Sequence, residues 1–320
     1  MFIDINPENH ESPRFDTFNL RDENPVSKNV KTRKISNPNL SMREIHQRII
    51  QAVKDLDNWF WGSFDSPFGN AKQHANNRYF YQTDLRNAFG SVSLKRLADI
   101  LISLEPKWEL EEVKEILDCY CFENGGKGLI VGAPASPKLF EIYAQQIIDV
   151  PLAEFWPYMV DGNRIFKKQY SRYTDDLTFS SPEPITDGVR RMIRRIIEQS
   201  GFQVNHRKSV VLDLKKGPVV ITGVGLEYRH SRSARLFLPR HYLKRMNGLL
   251  HLALKGDPRV SYSQIEGLMG VFHGVNSRKY KHAKGIVEFN ATELKFLKMY
   301  GVFKDRIIGS RQSVKRRRLR

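Results

Sequence analysis

Two adjacent carboxylates, Asp175 and Asp176, interrupt a β-prone run, with Tyr170-Ser171-Arg172-Tyr173 before them and Leu177-Thr178-Phe179-Ser180 after. Such flanks predict two short strands joined by a tight turn that carries both carboxylates. Side by side, two like charges repel unless a cation neutralises them. Hard divalent ions such as Mg²⁺ take oxygen ligands and suit a hairpin tip of this kind. A bare Asp-Asp pair is more often a solvated turn, so the rest of the chain has to sharpen the pattern. Asp84 closes another β-prone run, Arg78-Tyr79-Phe80-Tyr81-Gln82-Thr83. If both strands belong to one sheet, three carboxylates meet at its edge. Two-metal phosphoryl transfer requires such a group: the ions stand about 3.5–4 Å apart and flank an in-line displacement. A nuclease would more often add His or Glu ligands, so nucleotide addition is the favoured chemistry.

Composition points to the partner. Net charge is +17, from 52 Lys and Arg against 35 Asp and Glu in 320 residues. Such a surface attracts polyanions. No long helix with one clean basic face stands out, which favours nucleic acid over an anionic membrane. The apolar content of 40% fits a folded chain, and its length allows two or three subdomains. No run of about 18 apolar residues occurs, so no membrane span is expected. Met1-Phe2-Ile3-Asp4-Ile5-Asn6 lacks a basic segment followed by an apolar one, so a signal peptide is not expected either. Cys119 and Cys121 are too close for ordinary disulfide geometry and too few for a zinc site. A reducing, cytoplasmic setting fits.

Several elements must position the carboxylates. Residues 1–27 are polar, carry Pro7, Pro13 and Pro25, and predict a loosely attached arm. Lys28 to Pro38 alternates basic and other residues, as a strand with one cationic face would. Ile45, Ile49, Ile50, Val53, Leu56 and Trp59 predict a helix over Met42–Trp59. Ser66–His74, with Pro67 and Gly69, reads as loop. Helices follow over Leu94–Leu104, with a Ser cap, and Leu110–Cys121. Gly125-Gly126-Lys127-Gly128 breaks the chain. In Gly132-Ala133-Pro134-Ala135-Ser136-Pro137, Ser136 is the expected N-cap of a helix reaching about Ile148. A loop entering a helix N-terminus in this way can hold a phosphate, although it matches neither the P-loop nor the dinucleotide pattern. Asp187–Gln199 reads as a helix with a solvated arginine face. Strands are expected near Gly201–Leu212, Val219–Leu226 and Leu236–Leu238. Beyond them the chain reads as helical over 240–255, 261–273 and 286–299. Its end, Lys315-Arg316-Arg317-Arg318-Leu319-Arg320, reads as a disordered basic tail.

The order Asp84…Phe89, Gly132 to Pro137, Tyr173-Thr174-Asp175-Asp176 and Gly201…Asn205…Lys208 resembles the reverse transcriptases over about residues 28–280. Tyr-x-Arg-Tyr-x-Asp-Asp-Leu-Thr-Phe-Ser is typical of bacterial members. Asn70-Ala71-Lys72-Gln73-His74 is similar to the Asn-Ala-x-x-His signature of retron reverse transcriptases, and Ile221-Thr222-Gly223 to their Val-Thr-Gly. Glu266-Gly267-Leu268-Met269 and Val275-Asn276-Ser277 also resemble the retron thumb region. Two positions depart from the family pattern. Val131 replaces the Gln that helps position the incoming nucleotide, and Ala88 precedes Phe89 where an aromatic residue is usual.

The resemblance implies an α+β, right-hand polymerase fold with fingers, a palm whose antiparallel sheet carries the Asp triad, and a helical thumb. The expected segments are an arm (1–27), fingers (28–74 and 94–140), palm (75–93 and 141–228), thumb (229–309) and basic tail (310–320). It implies that Asp84, Asp175 and Asp176 hold two Mg²⁺ ions and that Lys208 protonates the leaving pyrophosphate. Phe89 would be a steric gate under the sugar, selecting deoxynucleotides. Gly132 and Pro134, with Ser136 and Pro137, would shape the nucleotide loop; Lys31 and Arg33 would contact the triphosphate. Asn70, His74, Thr222 and Gly223 would recognise a cognate structured RNA, and Arg240 and Lys244 would track the duplex. The implied partners are a structured non-coding RNA, dNTPs, an RNA–DNA hybrid product and a separate effector protein of anti-phage defence, with no membrane. Other bacterial defence reverse transcriptases and a non-catalytic RNA-binding scaffold are the alternatives.

Overall fold

The computed structural model describes residues 2–5, 11–23, 30–56, 67–123, 126, 128–156, 159–161, 164–166, 168–228, 234–281 and 289–318. In chain order its strands and helices are β1 (Phe15–Glu23), β2 (Val30–Pro38), α1 (Leu40–Val53), α2 (Pro67–Gln73), β3 (Tyr79–Arg86), α3 (Leu94–Leu104), α4 (Leu110–Tyr120), α5 (Ser136–Ala144) and α6 (Val150–Phe155). After these come β4 (Met159–Asp161), β5 (Arg164–Phe166), β6 (Gln169–Tyr173), β7 (Asp176–Ser181), α7 (Asp187–Gln199), β8 (Gln203–Val204) and β9 (Val210–Asp213). The chain ends with β10 (Val219–Ile221), β11 (Val224–Glu227), β12 (Arg235–Phe237), α8 (Arg240–Leu254), α9 (Tyr262–Lys281) and α10 (Ala291–Arg318). It divides into two compact units, residues 1–63 with 81–211, and residues 64–80 with 212–320.

The first unit is built on a sheet in which β6, β7, β3 and β8 lie side by side, with β9 also pairing with β3. β6 and β7 are antiparallel, as are β3 and β8. Phe179 anchors the core beneath the sheet, stacking on Tyr170 with ring centroids 4.8 Å apart and meeting Trp156 edge-on at 5.5 Å. Burying each such ring contributes roughly 1.5–3 kcal/mol. Ile45, Ile49 and Val53 of α1, and Leu97, Ala98 and Leu101 of α3, are fully buried at helical spacing. The helix over Leu94–Leu104 is capped as expected: the Ser93 hydroxyl accepts from the Arg96 N–H.

Several expectations change. Residues 15–23 are not a loose arm but β1, which pairs with β2 over its whole length. Of their apolar members Phe15 is half-buried beside His46 while Phe18 and Leu20 are exposed, so no burial periodicity marked the strand. Pro67–Gln73 is a helix rather than a loop; proline suits a first helical turn, and buried Asn70 and Ala71 supply the packing that propensity lacks. Ser136 is not an N-cap but lies inside α5, where its buried hydroxyl donates to the Ile130 carbonyl at 2.8 Å. The basic end continues α10 as far as Arg318. Trp59, and residues 286–288 of the last expected helix, lie outside the described residues.

α5 does not stop near Ile148 but runs through a π-helical turn, Gln145–Asp149, into α6. Pro151 explains the irregular turn. It has no N–H for the carbonyl four residues back, that of Ile147. The Ser200 hydroxyl takes that carbonyl instead, at 2.5 Å.

Asn39 joins the start of the chain to α1. Its side-chain oxygen accepts from the Met42 and Arg14 N–H groups, and its amide donates to the Ser12 carbonyl at 3.0 Å. Asn39→Ala is expected to cost about 1–2 kcal/mol in urea unfolding. Asn39→Asp keeps both accepted bonds but loses the two donated ones, to the Ser12 carbonyl and the Glu11 carboxylate, and sets a second carboxylate beside Glu11, so at neutral pH it should cost at least as much.

Candidate active site

The turn between β6 and β7 is only two residues long, because Tyr173 pairs directly with Asp176. Asp175 therefore lies in the turn and Asp176 opens β7. Thr174 takes φ 56°, a left-handed conformation unfavourable for a β-branched residue, so the surroundings must hold it. One restraint is backbone: the Leu85 N–H donates to the Asp175 carbonyl at 2.9 Å, fixing the tip beside Asp84. Asp84 is itself buried on β3. Its carbonyl accepts from the Asn205 N–H at 2.8 Å, and the Asn205 carbonyl accepts from the Lys208 N–H at 3.0 Å. Thr83 and Ser209 hydroxyls meet at 2.8 Å alongside. Lys208 Nζ then reaches Asp84 Oδ2 at 2.5 Å.

The structure thus brings Asp84, Asp175, Asp176 and Lys208 together. Partial burial first, then Asp175 and Asp84, push the Asp176 carboxyl above its usual range, with Lys208 pulling the other way. The hydrogen bond to Asp84 leads in raising the Lys208 pKa against the effect of burial, and the charges of Asp84, Asp176 and Asp175 add to it. Lys208 satisfies one Asp84 oxygen; the other, Oδ1, is buried and accepts nothing among the described residues. A cluster with surplus negative charge and a spare buried carboxylate oxygen fits hard divalent cations. Among the described residues, no three acidic, His or Cys side chains are closed around one point as a finished metal cage.

Residues expected at the nucleotide lie in the same unit. Phe89 is half-buried and stacks on Phe140, ring centroids 5.0 Å apart and planes 20° from parallel. Gly132 has φ 104°, and a Cβ there would stand 2.4 Å from the Ser36 carbonyl oxygen. The loop is fastened to β2 by the Ser36 N–H donating to the Val131 carbonyl at 2.9 Å. Only glycine allows that approach. Val131 and Pro134 are exposed. Lys31 and Arg33 fall on β2, but their side chains lie outside the described residues.

Sequence reasoning missed what holds the hairpin from below. Arg172, on β6, is completely buried. Its guanidinium grips Asp149 through Nε at 2.9 Å and Nη2 at 2.7 Å, and Glu141 through Nη1 at 2.9 Å and Nη2 at 3.0 Å. The Tyr170 hydroxyl donates to Asp149 at 2.7 Å. Burial alone would lower the Arg172 pKa; Asp149 and Glu141 outweigh it and raise the value. An arginine amid strand-forming apolar residues was the available signal, since such a charge is buried only when paired. Nothing in the spacing named its partners.

The second unit holds the residues expected to recognise RNA. Asn70 and His74 are buried rather than surface residues. Burial pushes the His74 pKa down to about 3, so the ring is neutral. Asn70 acts on Thr222, whose hydroxyl accepts from the Asn70 amide at 3.4 Å and donates to the Pro67 carbonyl at 3.1 Å. Thr222 (φ 45°) and Gly223 (φ 84°) form the two-residue turn between β10 and β11, where positive φ matches the strand twist. Arg240 opens α8 on an exposed face. Lys244, with Asn247, His251, Thr292 and Lys295, lines a cleft of about 640 Å³ between α8 and α10. No helix among the described residues is long and apolar enough to cross a membrane.

Residues 24–226 match the family described as "Reverse transcriptase (RNA-dependent DNA polymerase)". That is more than half of the chain, and the chain belongs to this family, with its right-hand polymerase fold. It is similar to the retron Mx65 reverse transcriptase of Myxococcus xanthus, at 26% identity over 64% of this chain and 48% of that protein. It is also similar to the retron Ec83 reverse transcriptase of Escherichia coli, at 28% identity over 64% of this chain and 65% of that protein. The chain thus spans about half the length of the first and under two thirds of the second. Among solved structures, telomerase from Candida albicans in complex with a telomeric RNA fragment aligns at 11% identity and a TM-score of 0.44, over 92% of this chain and 59% of that one.

The raised Asp176 pKa has a consequence for stability. Folding holds the proton more tightly, so stability falls as pH rises from the ordinary value of 3.8 through the folded one. In buffer with a chelator at neutral pH, Asp176→Asn is expected to raise the melting temperature. The gain should vanish on acidification to below about pH 4, where the carboxyl is protonated in both states. A variant that melts with or below the parent at neutral pH would show that neither the burial of the Asp176 charge nor its repulsion by Asp175 and Asp84 costs stability.

Proposed function

We propose that this chain is an RNA-directed DNA polymerase of the retron type. It copies part of a cognate structured non-coding RNA into single-stranded DNA, starting from a 2′-hydroxyl of that RNA and leaving a branched RNA–DNA hybrid. The work is done in the cytoplasm, and a separate effector protein acts with it in anti-phage defence. The observation that carries the polymerase reading is the convergence of Asp84, Asp175, Asp176 and Lys208. Similarity to two retron enzymes supports the subtype.

Asp84, Asp175 and Asp176 would hold two divalent ions, in the cell Mg²⁺, which when bound neutralise the carboxylates and make the attacking hydroxyl more acidic. Lys208, kept protonated by the surrounding carboxylates, would give its proton to the departing pyrophosphate. The Phe89 ring would lie under the deoxyribose and leave no room for a 2′-hydroxyl. The Gly132–Pro137 loop would support the nucleotide with backbone groups, and Lys31 and Arg33 would meet its triphosphate. Asn70 would set the Thr222-Gly223 turn that meets the RNA. Arg240, Lys244 and the lysine-lined cleft beside them would follow the sugar-phosphate backbone. Such contacts need charge and groove shape rather than base edges.

The test is to express the chain with its native upstream DNA and run RNase-treated total nucleic acid on a denaturing gel. A discrete short DNA is expected, with mobility sensitive to a debranching treatment. Asp175→Asn with Asp176→Asn should abolish it while leaving RNA co-purification intact. An unbranched or repetitive product that still needs the aspartates would indicate another defence reverse transcriptase. Tight RNA binding without any DNA would indicate a scaffold.

A further inference from the structure

The five guanidinium N–H groups of Arg172 all have acceptors. Nε and Nη2 serve Asp149, and Nη1 and Nη2 serve Glu141. The remaining Nη1 donor goes to the Thr174 carbonyl at 3.2 Å, inside the two-residue turn and immediately before Asp175. The guanidinium carbon also stands 5.6 Å from the centre of the Phe140 ring, on which Phe89 stacks. One buried cation therefore touches the left-handed residue of the aspartate turn on one side and the support of the Phe89 ring on the other. Glu141 carries the same contact to α5, the helix that the Gly132–Pro137 loop enters.

An ion network of this kind is a poor way to gain stability, since desolvation offsets most of the attraction. What it fixes is geometry, because a planar fork with five directed donors accepts only one arrangement of its partners. We propose that Arg172 is a positioning residue that sets the aspartate turn and the Phe89 ring in a common register, so that metal affinity and sugar selection depend on one side chain. The proposal rests on the polymerase reading.

The test compares purified full-length parent, Arg172→Lys and Glu141→Gln in primer extension on an RNA template. Leu97→Ala, a core truncation in α3 whose side chain makes none of these hydrogen bonds, serves as the control for lost stability. Three quantities are read: KM and kcat for a deoxynucleotide, the preference for deoxy- over ribonucleotide, and Mn²⁺ binding by electron paramagnetic resonance without nucleotide. In Arg172→Lys, kcat should fall about a hundredfold through misplacement of the turn. Mn²⁺ affinity should fall about tenfold, and deoxynucleotide preference by a similar factor. Leu97→Ala should change preference and affinity less than about twofold even at a lower melting temperature. Glu141→Gln keeps its shape and lies partly at the surface, so it keeps the question open to measurement if Arg172→Lys does not fold. It should move preference and Mn²⁺ affinity in the same direction by a smaller factor. A folded Arg172→Lys with parental Mn²⁺ affinity and parental preference would overturn the proposal, as would a Glu141→Gln that matches the parent in both. If the parent itself extends no primer, the polymerase reading fails, and Mn²⁺ affinity still decides whether Arg172 positions the turn.

Discussion

Three carboxylates must be held together against their own repulsion. Like charges about 4 Å apart in a partly buried setting repel by on the order of 4 kcal/mol. No side chain placed on a loose loop would stay there. The protein answers with backbone. The Leu85 N–H holds the Asp175 carbonyl, and the Asn205 N–H holds that of Asp84. These bonds bear on the main chain and leave the carboxylate oxygens for other partners. Lys208 offsets part of the charge, and the Asp176 carboxyl stays above its usual range through partial burial first and its two carboxylate neighbours second.

The same constraint gives the interior its unusual polarity. A buried arginine, two acidic residues and a tyrosine hydroxyl lie under the aspartate hairpin, where an apolar core would be simpler. The π-helical turn belongs to this arrangement, because Asp149 is its last residue. Pro151 forces the helix off its regular path, Ser200 takes the carbonyl that is freed, and Asp149 arrives at Arg172. Local irregularity in one helix is thus tied to the placement of a turn on a distant stretch of chain.

In the second unit a comparable logic uses neutral groups. Asn70 and Thr222 are 152 residues apart and join through one hydrogen bond. Thr222 adopts a backbone conformation that costs a β-branched residue on the order of 1 kcal/mol or more. The Pro67 carbonyl and the Asn70 amide hold its hydroxyl in return. The two short signatures, Asn-Ala-x-x-His and Ile-Thr-Gly, are therefore joined in one structural unit, in which buried Asn70 bonds the half-buried Thr222 of the turn.

The sequence by itself determined the hairpin, the approach of Asp84 to it, the place of Lys208, the helix behind Ser93 and the cationic character of the surface. The hairpin, the Ser93 cap and the charge balance are local, whereas the approach of Asp84 and the place of Lys208 followed from the order of motifs shared with the reverse transcriptases. Only the tertiary structure decided which carboxylates meet Arg172, that His74 is a buried neutral ring, that Ser136 turns inward, and that residues 15–23 form a strand. In each case the deciding partner lies far along the chain or lacks a pattern. Glu141 and Asp149 sit on an irregular helix, and Phe18 and Leu20 are apolar yet exposed. A side chain's burial and its hydrogen-bond partners are properties of packing. Periodicity records which face of an element is apolar; it does not record what that face will touch.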